Sequence, residues 1–201
     1  MNEIKKVLLI NTHLTYPNWS EGNLNGVFHQ VAKDFFTSKS IHVLETKVEN
    51  GYLPEEEVEK HIEADIVILQ TPVNWFGAPW IYKKYVDEVF NCGLKSQKFL
   101  SGDGRTRTDP TRQYGSGGKM QGKKFMICAT WNAPEEAFGN QAQELLQGKN
   151  TSELFLNITC NYRFCGCEII TGYYCFDIFK NENLAKDIEN YPEYLKSVCL
   201  Q

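Results

Sequence analysis

Apolar positions along this chain follow two different periods. Val7-Leu8-Leu9-Ile10 and Ile66-Val67-Ile68-Leu69 are continuous apolar runs, and 125–130 is a third stretch of the same kind. Runs this short and unbroken fit strands buried on both faces, as in the middle of a parallel sheet. Between them the spacing becomes helical. Leu24, Val27, Phe28, Val31, Ala32 and Phe35 form one such series, and Ile81, Tyr82, Tyr85, Val86, Val89 and Phe90 another. A second strand is expected at 41–46 and a short helix from Pro54-Glu55-Glu56-Glu57, whose acids suit the positive end of a helix. Pro134-Glu135-Glu136 predicts a similar helix start, 154–164 a further helix, and 168–175 a fifth strand. The stretch 183–199 is helical in pattern, with Pro192 expected to kink or restart it.

Strand and helix therefore alternate five times. That order predicts a doubly wound α/β fold, a parallel sheet with helices on both faces and right-handed crossovers. The 201 residues suit one domain over 1–201, interrupted by a long excursion without periodicity at 91–121. Ligands of such sheets sit beyond the carboxyl ends of the strands, where strand order reverses. Three loops lie there: 11–23, 71–80 and 130–134.

The first loop leads into a helix through Ser20, Glu21, Gly22, Asn23, Leu24 and Asn25. Free amides and the helix dipole favour a phosphate, and Ser20, Asn23 and Asn25 add neutral donors. The competing reading makes Ser20 or Asn23 an ordinary helix cap. The second loop, Val73-Asn74-Trp75-Phe76-Gly77-Ala78-Pro79-Trp80, offers flat apolar walls and proline-fixed backbone. The third, Thr130-Trp131-Asn132-Ala133-Pro134, repeats aromatic, amide and proline. Together they predict opposed walls of one planar site, although aromatics are more often core. No GxGxxG fingerprint occurs.

Charge sharpens this picture. Residues 95–124 hold eight bases and two acids, a net +6 in a chain of −4, which leaves −10 for the remainder. A basic excursion in an acidic protein suits an anionic ligand, while the overall balance argues against a nucleic-acid partner. Seven cysteines cannot all pair within the chain and include no CxxC motif. Cys165-Gly166-Cys167 reads as buried packing, and no metal site is expected. The apolar start at Val7 is too short for a signal-peptide core, and no segment reaches membrane-spanning length, so a cytoplasmic location is expected. Of the four histidines, only His13 follows a strand that should end at the site.

At these residues the sequence resembles the bacterial modulator-of-drug-activity-B type NADPH:quinone reductases, within the flavodoxin-like group that includes the DT-diaphorases. The blocks are Ser20 to Asn25, Trp75 to Trp80 with Lys83-Lys84-Tyr85, Ser101 to Pro110, Tyr114-Gly115-Ser116-Gly117-Gly118, Gln121 to Lys124, and Thr130 to Pro134 with Glu136-Ala137-Phe138. The similarity spans nearly the whole chain. It implies a flavodoxin-like sheet of five parallel strands in the order 2-1-3-4-5. It implies a homodimer with FAD at the subunit interface, NADPH as co-substrate, and ping-pong two-electron transfer to a quinone. The implied flavin contacts are Ser20, Gly22, Asn23, Leu24, Asn25, Val27, Val73, Asn74, Trp75, Phe76, Tyr114, Thr130, Trp131, Asn132 and Ala133, with Tyr114 also the candidate catalytic contact. Two stretches depart from the family: Val73-Asn74, where a small or aromatic residue is expected, and the longer, more aromatic 15–19. An FMN-dependent electron carrier and a reductase of nitro or azo compounds are the alternatives.

Overall fold

The computed structural model describes residues 4–200; Met1 to Glu3, part of the N-terminal stretch from which no signal peptide is expected, and Gln201 lie outside it. The elements are β1 (Lys6–Asn11), α1 (Asn23–Ser38), β2 (His42–Lys47), α2 (Pro54–Glu63), β3 (Ile66–Pro72), α3 (Trp80–Lys95), β4 (Lys124–Thr130), α4 (Thr151–Leu154), α5 (Leu156–Phe164), β5 (Glu168–Ile169), β6 (Tyr173–Cys175) and α6 (Leu184–Cys199). All strand pairings are parallel, in the order β2-β1-β3-β4-β5, with β6 also paired to β4. The predicted doubly wound order is the one observed.

The unbroken apolar runs are central because successive side chains serve opposite faces. Leu8, Ile10, Val67, Leu69, Phe125 and Ile127 enter the core under α2, α3 and α5, whereas Val7, Leu9, Ile66, Ile68 and Met126 enter the core under α1 and α6. A polar substitution at any of them would therefore strike a core. Among the described residues, no helix is long and apolar enough to cross a membrane.

Four local expectations are corrected. The fifth strand is divided: Lys124 pairs with Glu168 and Cys128 with Tyr173, so the outer strand carries one extra residue. The Tyr194 hydroxyl donates to the carbonyls of Thr171 and Gly172 within this bulge, at 3.1 and 2.7 Å. Pro134-Glu135-Glu136 yields only a 3-10 turn, Glu135–Ala137, and helix begins at Thr151. There the Asn150 side chain accepts from the Glu153 amide and Glu153 accepts from the Asn150 amide, both at 2.9 Å, a reciprocal cap that 135–137 lacks. Pro192 does not restart α6, which continues through it with Tyr191, Leu195 and Cys199 buried. Finally, α3 runs to Lys95, so the excursion begins at 96.

Candidate functional site

The carboxyl ends of β1, β3 and β4 are stitched together. The Thr12 amide donates to the Gln70 carbonyl at 3.0 Å, and the Val73 amide donates to the Thr130 carbonyl at 3.0 Å. Beneath this seam, Asn25 of α1 donates to Asn11 Oδ1 at 2.8 Å and accepts from Gln70 Nε2 at 2.9 Å. The three side chains are buried, so this network fixes α1 against the switch between β1 and β3. The amide of Asn25 is thus spent inside the protein, not offered to a ligand.

The start of α1 is open. Gly22 takes the cap position at φ 75°, no side chain caps the helix, and its first turn carries no acid. Neither Ser20 nor Asn23 acts as a cap. First-turn amides have no carbonyl one turn back, so an anion can be received there. The Glu21 carboxylate, just before the cap, accepts from the Asn18 amide at 2.8 Å. A Cβ on Gly22 would stand 2.3 Å from His13 Cδ2, so glycine is required by both space and dihedral. Burial lowers the His13 pKa, against the opposing pull of Glu49 and Glu21. Just before it, Thr12 Oγ1 is buried without a partner. An open helix start, a glycine cradle and an orphaned hydroxyl fit the phosphate of a flavin.

The loop after β3 closes as a two-residue hairpin. The Asn74 amide donates to the Gly77 carbonyl at 2.8 Å and the Gly77 amide returns a bond at 3.2 Å. Both residues at its tip are left-handed, Trp75 at φ 50° and Phe76 at φ 65°. Such turns favour Asn-Gly, and bulky residues there are strained. At this tip Trp75 is 94% exposed and Phe76 45%. Val73 and Asn74 are half-buried behind them.

The third loop behaves differently from expectation. The Trp131 ring is only 2% exposed and packs against Phe138 and Phe155, with centroids at 4.9 and 5.3 Å. It supports the site from below instead of forming a wall. Thr130 is buried as well, leaving exposed Asn132 and half-buried Ala133 at the surface. Across from Phe76 stands a segment that sequence reading missed. A cleft of about 260 Å³ lies between Phe76 and Leu145, Leu146, Gln147, Lys149 and Leu154. Leu145-Leu146, an apolar pair in polar surroundings, was the available signal. Of the other first-loop candidates, Ser20 and Leu24 are half-buried, and Asn23 and Val27 are exposed beside the open helix start.

Tyr114 is not brought to this edge. The excursion is rooted where the strands begin: the Met120 amide donates to the Cys165 carbonyl at 2.8 Å, and the Glu168 amide to the Lys123 carbonyl at 2.9 Å. The Tyr114 ring packs against Phe164, last residue of α5, at 5.3 Å, with Arg105 over it at 5.4 Å. A strand of seven residues separates the two edges by about 23 Å. Several excursion bases have structural work: Arg105 pairs with Asp103 at 2.6 Å, Lys98 pairs with Glu59, and Lys123 donates to the Ala64 carbonyl at 2.7 Å. Arg107 and Arg112 stay exposed. Cys165 and Cys167 are buried, and burial pushes both thiols up to about 12.

A family model described as a flavodoxin-like fold matches residues 5–197. The chain belongs to this family. It is 37% identical over 179 residues to the NADPH:quinone oxidoreductase MdaB of Haemophilus influenzae, covering 89% of this chain and 92% of that protein. The flavodoxin-like family resemblance read from the sequence blocks is therefore borne out. Among solved structures, an NADPH-quinone reductase from P. pentosaceus superposes with a TM-score of 0.65 at 15% identity, covering 95% of this chain and 97% of that one. General stress protein 14 of Treponema denticola, in complex with FMN, superposes with a TM-score of 0.63 at 16% identity, covering 98% and 99%. At these identities the two structures speak for the flavodoxin-like fold alone.

Proposed function

We propose that this flavodoxin-like protein is a flavin-dependent NAD(P)H:quinone oxidoreductase that binds FAD at the carboxyl edge of its sheet. One observation carries the reading. A strained aromatic turn, Trp75-Phe76, stands at the end of β3 beside the uncapped, acid-free start of α1 at the end of β1. Strain of this kind persists where function holds it. The similarity to MdaB of Haemophilus influenzae supports the quinone as acceptor and NADPH as donor.

FAD supplies the two-electron chemistry when bound. The chain's own part is binding, orientation and exclusion of water. The α1 start receives phosphate through its amides, with Ser20, Gly22, Asn23, Leu24 and Val27 around it. Val73, Asn74, Trp75 and Phe76 flank the ring system, while Thr130, Asn132 and Ala133 present backbone and small groups, and Trp131 braces them from within. Asn25 acts through Asn11 and Gln70, positioning the helix. The family resemblance makes Tyr114 a flavin contact, and since its own chain holds it against Phe164, a homodimer in which Tyr114 comes from the other copy supports this reading; its hydroxyl is the candidate polar contact to flavin or substrate. Free cysteines suit action in the cytoplasm.

The test is steady-state kinetics of the flavin-loaded protein with NADPH and a benzoquinone. Parallel double-reciprocal lines are expected, since donor and acceptor use one space in turn. Absence of quinone reduction by protein shown to hold flavin would contradict the assignment, and faster turnover of nitro or azo compounds would move it to another acceptor.

A further inference from the structure

We propose that Trp19 is the stacking platform for the adenine of FAD, and that it makes this site select the dinucleotide flavin over FMN. The inference rests on the flavin reading above. Trp19 is 81% exposed, yet the backbone on either side of it is hydrogen-bonded in place. Tyr16 and Ser20 form an antiparallel bridge, with reciprocal amide-to-carbonyl bonds of 3.0 and 2.9 Å, and Asn18 turns the corner at φ 62°. The carboxylate of Glu49, beyond β2, accepts from the Thr15 amide at 2.8 Å and from the Thr15 hydroxyl at 3.0 Å. These bonds fix the backbone that carries the indole, and an indole so exposed serves no core. Its use is to present a flat face.

The position matches the ligand. Trp19 precedes Asn23, first residue of α1, by four residues, a span of at most about 14 Å. That is the scale of an ADP moiety whose phosphates sit at the helix start. Both carboxylates near this hairpin are engaged by backbone amides, Glu21 by Asn18 and Glu49 by Thr15, which limits their repulsion of a pyrophosphate. Tyr16, at 41% exposure, is a second aromatic on the same hairpin. FMN lacks the adenine, so stacking there helps only FAD. Base–aromatic stacking is strong enough to decide such a preference.

The experiment titrates apoprotein with FAD and with FMN, following flavin fluorescence. Trp19→Ala should weaken FAD at least about tenfold and change FMN by no more than about twofold, with Trp19→Phe restoring most of the loss. Glu49→Ala should show the same selective loss in weaker form, because Glu49 is a positioning residue. The KM for NADPH should stay unchanged, which separates the adenine of FAD from that of NADPH. Equal losses for both flavins, no loss for either, or a raised NADPH KM with FAD affinity intact would each overturn the proposal. Failure of the unsubstituted protein to bind either flavin would instead remove the reading on which it rests.

Discussion

Gly22 is the position where one methyl group does most damage. Its φ of 75° and the His13 ring, 2.3 Å from where a Cβ would stand, leave no room for alanine. Gly22 itself belongs to neither hydrophobic core, so the damage falls first on the cap. Gly22→Ala should lower flavin occupancy at least about tenfold while circular dichroism stays native, because the left-handed cap would be lost. His61 is the opposite case, a buried residue with no part in the site. It is fully buried among Tyr85, Phe90, Phe99 and Tyr162, and burial lowers its pKa to about 4. Nδ1 lies 2.8 Å from the Glu57 carbonyl, while Lys123 and Lys60 reinforce the lowering. The unfolded chain takes up this proton near the ordinary value of 6.5, whereas the folded chain resists until about 4. Stability is therefore complete above 6.5 and falls as pH drops toward 4, by an amount on the order of 3 kcal/mol from this residue. Denaturant midpoints across that window should fall less steeply in His61→Phe than in the unsubstituted protein; identical slopes would contradict this.

At the scale of elements, the hairpin after β3 stores strain that its exposed side chains do not return. Trp75 is 94% exposed and makes little packing to lose. The double substitution Trp75→Asn, Phe76→Gly installs the pair such turns favour, and should raise stability by about 1–2 kcal/mol while abolishing turnover. A destabilised double variant would mean that Phe76 packing outweighs the strain. Strands and main helices were legible because β1, β3 and β4 are apolar without interruption and α1 and α3 carry a clear helical period. The bulge between β5 and β6 was not legible, since it depends on Tyr194 of α6 reaching back to Thr171 and Gly172. Nor was the short life of the 135–137 turn, where proline and acids signalled a helix but no reciprocal cap or apolar period sustained it.

For the whole molecule, position along the fold decides what one chain can assemble. The three strand-end loops converge as their topology required, but their aromatics divide: Trp75 faces solvent while Trp131 enters the core, a distinction that composition alone does not carry. Tyr114 was legible as a contact only through family resemblance, and its own chain holds it at the opposite edge against Phe164. If two copies share each site, a mixture of Gly22→Ala and Tyr114→Ala chains contains mixed dimers with one intact site. Refolded together in equal amounts, they should recover roughly a quarter of the flavin-dependent activity that neither has alone. No recovery would place Tyr114 outside the partner's site.

The most direct measurement is the visible spectrum of the purified full chain, with chromatography of any released flavin and anaerobic addition of NADPH followed by a benzoquinone. The account predicts bound FAD that bleaches promptly with NADPH and recovers on adding the quinone. A colourless protein that takes up no added FAD, or bound FMN that NADPH does not bleach, would contradict it.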